Sequence, residues 1–182
     1  MDGGGVRDVN SPMMLMRCTR KVLKLLGRRA RQVELSQPDG GLAEWYVDIV
    51  EGLGPAFFLC TNPATLYTLV LPTSHTDDVA DLSGRLLSRL ALHMTELGTD
   101  RSSVEQLIRQ LCTVLVAKTA SRSVLGSIND LITHFCWHFS KQMTENGKVD
   151  LRAIEHDLNN MPQRPIGWKF SQERFAELCS QL

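Results

Sequence analysis

Residues 113–138 read TVLVAKTASRSVLGSINDLITHFCWH and predict a strand, a polar loop and the beginning of a long helix. The run from Val114 to Ala117 is short, apolar and rich in β-branched residues, which is typical of a strand buried on both faces. Beyond the loop, apolar residues recur at steps of three and four, so they share one face of a helix that should pack on a core. These residues are Val124, Ile128, Leu131, Ile132, Phe135 and Phe139.

The loop between this strand and this helix carries hydroxyl groups and two cations. Thr119, Ser121 and Ser123 can each cap a helix N-terminus, and Lys118 and Arg122 lie beside its positive end. A strand that leads into a helix through such a loop is a reasonable anion site. Simple capping, with both cations solvated or paired with carboxylates, is also open. The GxxxxGK[ST] pattern of a nucleoside-triphosphate loop is absent.

The composition is that of an ordinary globular protein, but its charge is unevenly distributed. The chain has 182 residues, of which 43% are hydrophobic and 22% charged, with a net charge of zero. Residues 1–33 contain eight Lys or Arg and two Asp, so the rest of the chain has an excess of acids. This asymmetry indicates either an anionic partner or a basic helix that lies on an acidic face of its own domain.

The five cysteines are odd in number and widely spaced, and no CxxC pair occurs. This pattern favours reduced thiols in a cytoplasmic protein over a disulfide framework or a zinc site. No segment has the apolar length of a signal peptide or a membrane span, so we expect no membrane partner. Residues 1–13 are Gly-rich and polar, and we expect them to form a disordered leader.

The predicted fold class is α+β. WYVDIV and AFFLC, separated by EGLGP, predict a hairpin, and TLYTLVLP after Asn62 and Pro63 predicts a third strand. With Thr113–Ala117 these segments give a small, mainly antiparallel sheet of about four strands covered by helices. We expect residues 14–142 to form this domain, and residues 143–182 to form a C-terminal helical annex packed on it.

The helices around the sheet are predicted from apolar periodicity and from capping residues. One extends over Asp77–Leu97, and a shorter one begins at Ser102 or Ser103. Asp150 is expected to cap a helix of the annex, and Ser171 to open the last helix.

A basic segment precedes the sheet. Met14–Cys18 could form a short strand, and Thr19 and Gly27 are suitable N-terminal and C-terminal caps of a helix. If the helix continued past Gly27, four cations would form one basic stripe suited to nucleic acid. They are Arg20, Lys24, Arg28 and Arg31. If the helix stops there, the stripe is broken, and a solvated face is the simpler interpretation.

Catalytic and metal constellations have weak support. Ser127 and His134 are about 10.5 Å apart along a helix, too far for a nucleophile and its base, although Asp130 can pair with His134. His134 and His138 lack a third metal ligand in the sequence nearby. Cys18 beside two arginines could be an activated thiol if a histidine lay close. We therefore predict no catalytic residue, metal or cofactor.

Three segments together resemble a family of uncharacterised bacterial proteins known as a domain of unknown function. They are RCTRKVLKLL from Arg17, WYVDIV through FFLCTNPATLYTLVLP to Pro72, and AKTASRSVLGSINDLITH from Ala117. The resemblance covers about residues 14–140 and implies a bacterial, cytoplasmic protein with a compact α+β domain, but no established activity. Residues typical of that pattern are Arg17, Thr19, Lys21, Asn62, Lys118, Arg122, Ser123, Gly126, Ser127, Asn129 and Asp130.

These observations predict a non-catalytic module that binds a phosphate-bearing ligand or a nucleic-acid backbone at the strand, loop and helix of residues 113–130. Asn62 is also open to the simpler role of starting the turn before Pro63. The alternatives are a small enzyme that uses the same site, with Asp130 or His134 as acid or base, and a module that binds a protein partner through its basic helix. The predicted ligand-binding residues are Arg17, Lys21, Asn62, Lys118, Thr119, Ser121, Arg122, Ser123, Ser127, Asn129 and Asp130.

Overall fold

The computed structural model describes residues 13–27, 41–74 and 78–182. Within these residues the chain forms a five-stranded sheet, a two-stranded hairpin and six α-helices. The strands are β1 (Met14–Cys18), β2 (Glu44–Val50), β3 (Phe57–Thr61), β4 (Thr68–Pro72), β5 (Val114–Lys118), β6 (Pro162–Gln163) and β7 (Lys169–Phe170). The helices are α1 (Arg20–Leu25), α2 (Val79–Glu96), α3 (Arg101–Leu111), α4 (Arg122–Asn146), α5 (Leu151–Asn159) and α6 (Ser171–Cys179).

The main sheet is mixed, with the strand order β4-β3-β2-β1-β5. β1 is parallel to both of its neighbours, with Cys18 in register with Val47 of β2 and with Lys118 of β5. β2, β3 and β4 form an antiparallel meander, as the predicted hairpins require. One side of the sheet is therefore parallel and the other antiparallel.

The prediction of an α+β fold is confirmed, whereas a mainly antiparallel sheet of about four strands is wrong in detail. The short strand that the sequence allowed at Met14–Cys18 is observed as β1, but the predicted sheet did not include it; it lies between β2 and β5 and supplies both parallel pairings. Because β5 is consequently an edge strand, Val114, Leu115 and Val116 are only half-buried, and the predicted burial on both faces is not observed.

Each face of the sheet is covered by its own set of helices. On the first face, Met16, Trp45 and Phe58 pack with apolar residues of α1, α2, α3 and α6. On the second face, Phe57 and Leu59 pack with α4 and α5. Side chains alternate between the two faces of a strand, so the polar residues of β2 at positions 44, 46 and 48 belong to the second face.

The predicted apolar stripe of α4 faces the core of the second face. Ile128, Leu131, Phe135 and Phe139 are buried, and the ring of Phe135 meets that of Phe57 edge to face at 5.3 Å. Burial of a phenylalanine side chain stabilises a fold by about 1.5–3 kcal/mol. The packing of this stripe on the second face of the sheet therefore sets the orientation of α4 relative to the loop before it.

The C-terminal helices contribute to both cores. Phe175 of α6 is fully buried in the first core, where its ring stacks on Tyr67 at 4.1 Å, while Ile154 and Leu158 of α5 complete the second core. The predicted division between residues 142 and 143 falls inside α4. Residues 1–12 of the predicted leader lie outside the described residues.

Several helix ends differ from the predictions by a few residues. α2 is capped by Asp78, and α3 begins at Arg101 under an Asp100 cap rather than at Ser102 or Ser103. An aspartate carboxylate accepts from the first free amides as readily as a serine hydroxyl does. The predicted Asp150 cap is confirmed, since its carboxylate accepts from two amides of α5. None of the helices in the described ranges has the length and apolar character needed to cross a membrane.

Candidate functional site

On the parallel side of the sheet, the chain leaves two adjacent strand ends toward opposite faces. β1 ends at Cys18 and leads into α1 on the first face, whereas β5 ends at Lys118 and leads into α4 on the second face. The two strands are adjacent, parallel and in register at these ends. Helices that leave neighbouring parallel strands toward opposite faces open a crevice beyond the carboxyl ends, where ligands bind in open sheets. We call residues 18–20 and 118–123 the strand-end crevice.

Arg17 forms the base of this crevice. Its guanidinium is buried and makes an ion pair with the buried Glu44, and its Nη1 donates to the carbonyl oxygen of Lys118 at 3.3 Å. The charge of Arg17 is therefore compensated within the protein, and its second hydrogen bond supports the loop from below. The structure gives Arg17 a supporting position beneath the predicted site.

Thr19 and Asp48 form the side of the crevice next to β2. The hydroxyl of Thr19 donates to Oδ1 of Asp48 at 2.8 Å, and the same oxygen accepts from the amide of Ile49 at 2.8 Å. Thr19 has the extended backbone of an N-cap, but its side chain makes no capping hydrogen bond to α1. The hydroxyl instead ties the end of β1 to β2.

The beginning of α4 is held by two hydroxyl groups. Tyr46 Oη accepts from the amide of Ser121 at 3.1 Å, and Ser121 Oγ accepts from the amide of Val124 at 3.3 Å. The predicted cap at Ser121 is thus confirmed. Among the described residues, the next two amides, of Arg122 and Ser123, have no hydrogen-bond acceptor, which is the usual state of a helix N-terminus. They remain free donors at the mouth of the crevice.

The mouth is positively charged. Lys118 and Arg122 are exposed, as are Lys21 and Arg20 of α1. Within residues 13–27, 41–74 and 78–182, no carboxylate lies close enough to form an ion pair with any of these four cations. The positive end of the α4 dipole adds to their field, so the electrostatic potential at the mouth is positive.

Asn62 lies away from this crevice. It follows β3, and in the strand order β3 is three positions from β5, or roughly 14 Å at 4.8 Å per strand. Its side chain is fully buried, donates to the carbonyls of Gly41 and Glu44, and accepts from the amides of Ala64 and Thr65. Asn62 therefore has the turn-forming position that the sequence also allowed.

Three further predicted residues lie along α4 rather than at its beginning. Ser127 is buried and donates back to the carbonyl oxygen of Ser123 at 3.3 Å. Asn129 and Asp130 are exposed, and at 1.5 Å per residue Asp130 lies about 12 Å along the axis from Arg122. Of the predicted set, the strand-end crevice thus includes Lys118, Thr119, Ser121, Arg122 and Ser123, with Arg17 hydrogen-bonded to the Lys118 carbonyl. Lys21 lies on α1, the helix that follows β1.

Sequence reasoning missed the polar residues of β2 that build the crevice. Glu44, Tyr46 and Asp48 alternate with the buried Trp45 and Val47 and so point to one face of the sheet. This period of two in EWYVDIV was the available signal. On the second face of the sheet, β2 is thus polar at Glu44, Tyr46 and Asp48 and apolar at Val50.

The thiol and the metal ligands that the sequence suggested do not form a reactive centre at the crevice. Burial raises the pKa of the Cys18 thiol to about 12, so Arg17 and Arg20 do not produce the activated thiolate considered above. In the described part of the chain, no three His, Cys, Asp or Glu side chains are placed to hold a metal ion. His138 contacts Asp157, with 3.3 Å between Nδ1 and Oδ2.

Comparisons with known proteins give a family but no activity. A family model described as a domain of unknown function, DUF6933, matches residues 15–174. The match extends beyond residue 140, where the resemblance in the sequence ended, and includes α5 and the first residues of α6. A search of curated proteins finds no similar sequence. The chain therefore belongs to the DUF6933 family of domains of unknown function.

Proposed function

We propose that this protein is a non-catalytic module that binds a phosphate-bearing small molecule or a nucleic-acid backbone in the strand-end crevice. The observation that carries the proposal is the departure of α1 and α4 toward opposite faces from the adjacent parallel strands β1 and β5. In open sheets such an arrangement is the place where a crevice forms and where ligands bind. It occurs at the loop where the sequence concentrates hydroxyls and cations.

The chemistry of the mouth favours an anion with several acceptor oxygens. The free amides of Arg122 and Ser123 can each donate to a phosphate oxygen, and the side chains of Lys118 and Arg122 can neutralise its charge. Because these cations have no internal partner in the described residues, a ligand does not have to break an existing ion pair. The fixed amide of Ser121 and the supported carbonyl of Lys118 keep this geometry preorganised.

The geometry supports binding more than catalysis. Asp130 and His134, the acid or base of the alternative enzyme, lie about 12 and 18 Å along α4 from Arg122. Proton transfer requires contact with the substrate at about 3 Å or through one water. A phosphate held at the beginning of α4 would be out of their reach.

A protein or nucleic-acid partner bound through an extended basic helix has less support. α1 ends at Leu25, and Gly27 has the left-handed φ of +60° that follows a helix end, so Arg20 and Lys24 are not continued as a helical stripe. Arg28 and Arg31 lie outside the described residues. Arg20 and Lys24 therefore contribute to the field of the crevice rather than forming a separate recognition helix.

The proposal also places the protein in a bacterial cytoplasm. All five cysteines are free, and three of them, Cys18, Cys60 and Cys179, are buried in the first core. Free thiols of this kind suit a reducing compartment. The bacterial origin rests on the sequence resemblance.

Binding of inorganic phosphate, AMP and a short single-stranded RNA would test the proposal by calorimetry at low and high salt. We expect Lys118→Gln and Arg122→Gln to weaken binding by roughly tenfold, the effect of losing a charge-assisted hydrogen bond. Arg109→Gln is the matched control, because Arg109 is an exposed arginine of α3 near the opposite end of β5. Equal affinities for all three variants, or no binding of any probe, would contradict the proposal.

The salt dependence separates the two ligand classes. A nucleic-acid backbone releases condensed counterions, so its affinity should fall steeply as salt increases, with a slope that decreases when Lys118 or Arg122 is removed. A small phosphate compound should show a weaker dependence and should compete with inorganic phosphate. A steep slope with RNA therefore identifies a nucleic-acid backbone, and a shallow slope with competition by inorganic phosphate identifies a small phosphate compound.

A further inference from the structure

A second polar region lies beyond the opposite edge of the sheet. A cavity of about 280 Å³ opens between α2, α5, α6 and the segment before β4. We call it the α2–α5 cavity. Its polar lining includes Tyr67, His93, Glu96, Arg152, Glu155 and Gln172. With β4 at one edge and β5 at the other, the cavity lies four strand spacings from the strand-end crevice, or roughly 19 Å.

Four titratable side chains are linked by contacts, and three of them, Tyr67, His93 and Glu155, line the cavity. The hydroxyl of Tyr67 lies 2.5 Å from Nδ1 of His93, and Nε2 of His93 lies 3.5 Å from Oε2 of Glu155. The same oxygen of Glu155 makes an ion pair with Arg89, and its other oxygen accepts from the amide of Val70 at 2.6 Å. The contacts join β4, α2 and α5 around one buried carboxylate.

The fold does not require a charged side chain at position 155, because a neutral one could make the same hydrogen bond to β4. Next to it, Asn159 accepts from the amide of Thr68 and donates to its carbonyl, both at 2.8 Å, so a neutral side chain pairs fully with the edge of β4. A glutamine at position 155 could accept from Val70 in the same way. The carboxylate is 2% exposed and needs Arg89 as a counter-ion, which is a costly arrangement for a single hydrogen bond.

The carboxylate of Glu155 influences which ring nitrogen of His93 carries the proton. Since Nε2 faces Glu155, the ring proton is assigned to Nε2, and Nδ1 accepts from Tyr67. Burial, and then the charge of Arg89, lower the pKa of His93, which keeps the ring neutral. Burial and the charge of Glu155 raise the pKa of Tyr67, which keeps its hydroxyl protonated. Tyr67 therefore donates its hydroxyl proton to His93. The lone pairs of its oxygen remain able to accept a hydrogen bond from a ligand.

The mouth of the cavity offers a guanidinium. Nη2 of Arg152 lies 3.6 Å from Oε1 of Glu96, and both side chains are about half exposed or more. This separation is too long for a strong hydrogen bond, and exposed pairs of this kind contribute little to stability. The mouth already places one carboxylate beside Arg152, and a ligand carboxylate can replace it with the planar, two-bond geometry that a guanidinium favours.

We propose that the α2–α5 cavity binds small hydroxycarboxylates, with the ligand carboxylate on Arg152 and the ligand hydroxyl donating to Tyr67 Oη. Each group of the ligand matches one end of the cavity. The carboxylate matches the Arg152 guanidinium at the mouth, and the hydroxyl matches the hydrogen-bond acceptor Tyr67 Oη inside. Gln172 and Asn159 also line the cavity. This site is independent of the strand-end crevice and does not depend on the function proposed there.

Three small probes separate the parts of this proposal. Glycolate has both the carboxylate and the hydroxyl, acetate lacks the hydroxyl, and glycolamide lacks the charge. The whole protein, labelled with ¹⁵N-histidine, would be titrated with each probe while the ring signals of His93 are followed by NMR. We expect glycolate to shift these signals with a dissociation constant in about the millimolar range, acetate to bind several-fold more weakly, and glycolamide more weakly still.

Two conservative variants assign the contacts. Tyr67→Phe keeps the aromatic stack on Phe175 and removes only the hydroxyl, so glycolate should bind this variant no better than acetate does. Arg152→Gln should weaken both acids by roughly tenfold, whereas Arg101→Gln, on the fully solvated surface of α3, should leave both unchanged. Far-UV circular dichroism would establish that each variant is folded.

The proposal fails on any of three results. If no probe shifts the His93 signals, the cavity does not bind this class of ligand. If glycolate and acetate bind the wild-type protein equally, the acceptor role of Tyr67 is wrong. If Arg152→Gln binds the acids as the wild type does, the carboxylate lies elsewhere.

Discussion

The strand-end crevice and the α2–α5 cavity treat charge in opposite ways. The crevice leaves Lys118 and Arg122 in solvent beside free amides, whereas the cavity buries Glu155 and surrounds it with Arg89 and His93. Exposed charges cost little to maintain and are free to meet a large or variable anion. Buried charges are costly, but they fix the position and protonation of their neighbours, and this suits a small ligand of defined shape.

Below its exposed cations the crevice also contains one buried ion pair, Arg17 with Glu44, and the largest expected effect concerns this pair. Arg17→Ala leaves Glu44 buried without its partner, and we expect the free energy of unfolding to decrease by about 3–5 kcal/mol. Lys21→Ala removes an exposed cation of the same crevice and should change stability by less than about 0.5 kcal/mol. Urea unfolding measures both. Similar values would show that the two cations are equivalent, contrary to the structure.

A smaller loss is expected on the cavity side. Arg89→Ala should decrease the free energy of unfolding by about 2 kcal/mol, less than Arg17→Ala because the Arg89 side chain is 24% exposed and water partly replaces it. Adding Glu155→Gln should restore part of this loss, since the neutral amide still accepts from Val70 and needs no counter-ion. If the double variant instead has a lower free energy of unfolding than Arg89→Ala, the carboxylate stabilises the fold even without Arg89.

Protonation of His93 should distinguish the cavity from the crevice. Because its pKa is lowered from the ordinary 6.5 in the folded protein, the unfolded chain takes up this proton first as the pH falls below about 6.5. Unfolding becomes easier over that range until the folded protein also binds the proton. His93→Gln should therefore flatten the decrease in stability, and His156→Gln, which changes an exposed histidine at the same cavity, is the matched comparison. Chemical denaturation at a series of pH values gives the slopes.

The smallest effect concerns the tyrosine that holds the loop of the crevice. Tyr46→Phe removes the acceptor of the Ser121 amide, and we expect a loss of about 0.5–1.5 kcal/mol together with weaker phosphate binding. Tyr67→Phe is the matched change in the other region and should leave phosphate binding unchanged. Calorimetry with inorganic phosphate compares the two variants. If Tyr67→Phe weakens phosphate binding as much as Tyr46→Phe does, the two sites are not independent.

Sequence patterns predicted the parts of the fold that local periodicity decides. The stripe of α4, the caps at Ser121 and Asp150 and the hairpins of the meander all depend on residues a few positions apart, and the structure confirms them. The place of β1 was missed because parallel pairing joins distant segments, as in the contact of Arg17 with a residue 101 positions later. No local pattern indicates which strand lies between two others.

The candidate sites show the same limit more strongly. The loop of the crevice is contiguous in sequence, so its hydroxyls and cations could be recognised before the structure was known. Its supports on β2 come from another segment, although their period of two was visible. The cavity joins Tyr67, His93 and Glu155 from three separate elements, and each of them alone is an ordinary residue in an amphipathic segment.

Asn159 also determines where the sheet stops growing. Its side-chain amide meets both backbone groups of Thr68, and Glu155 accepts from Val70, so together they occupy the place of a sixth strand. An uncovered edge strand is a template for strands of other molecules. If α5 detached, β4 would present its apolar sequence TLVLP for intermolecular pairing. The docking of one short helix thus protects this protein from aggregation through its own sheet.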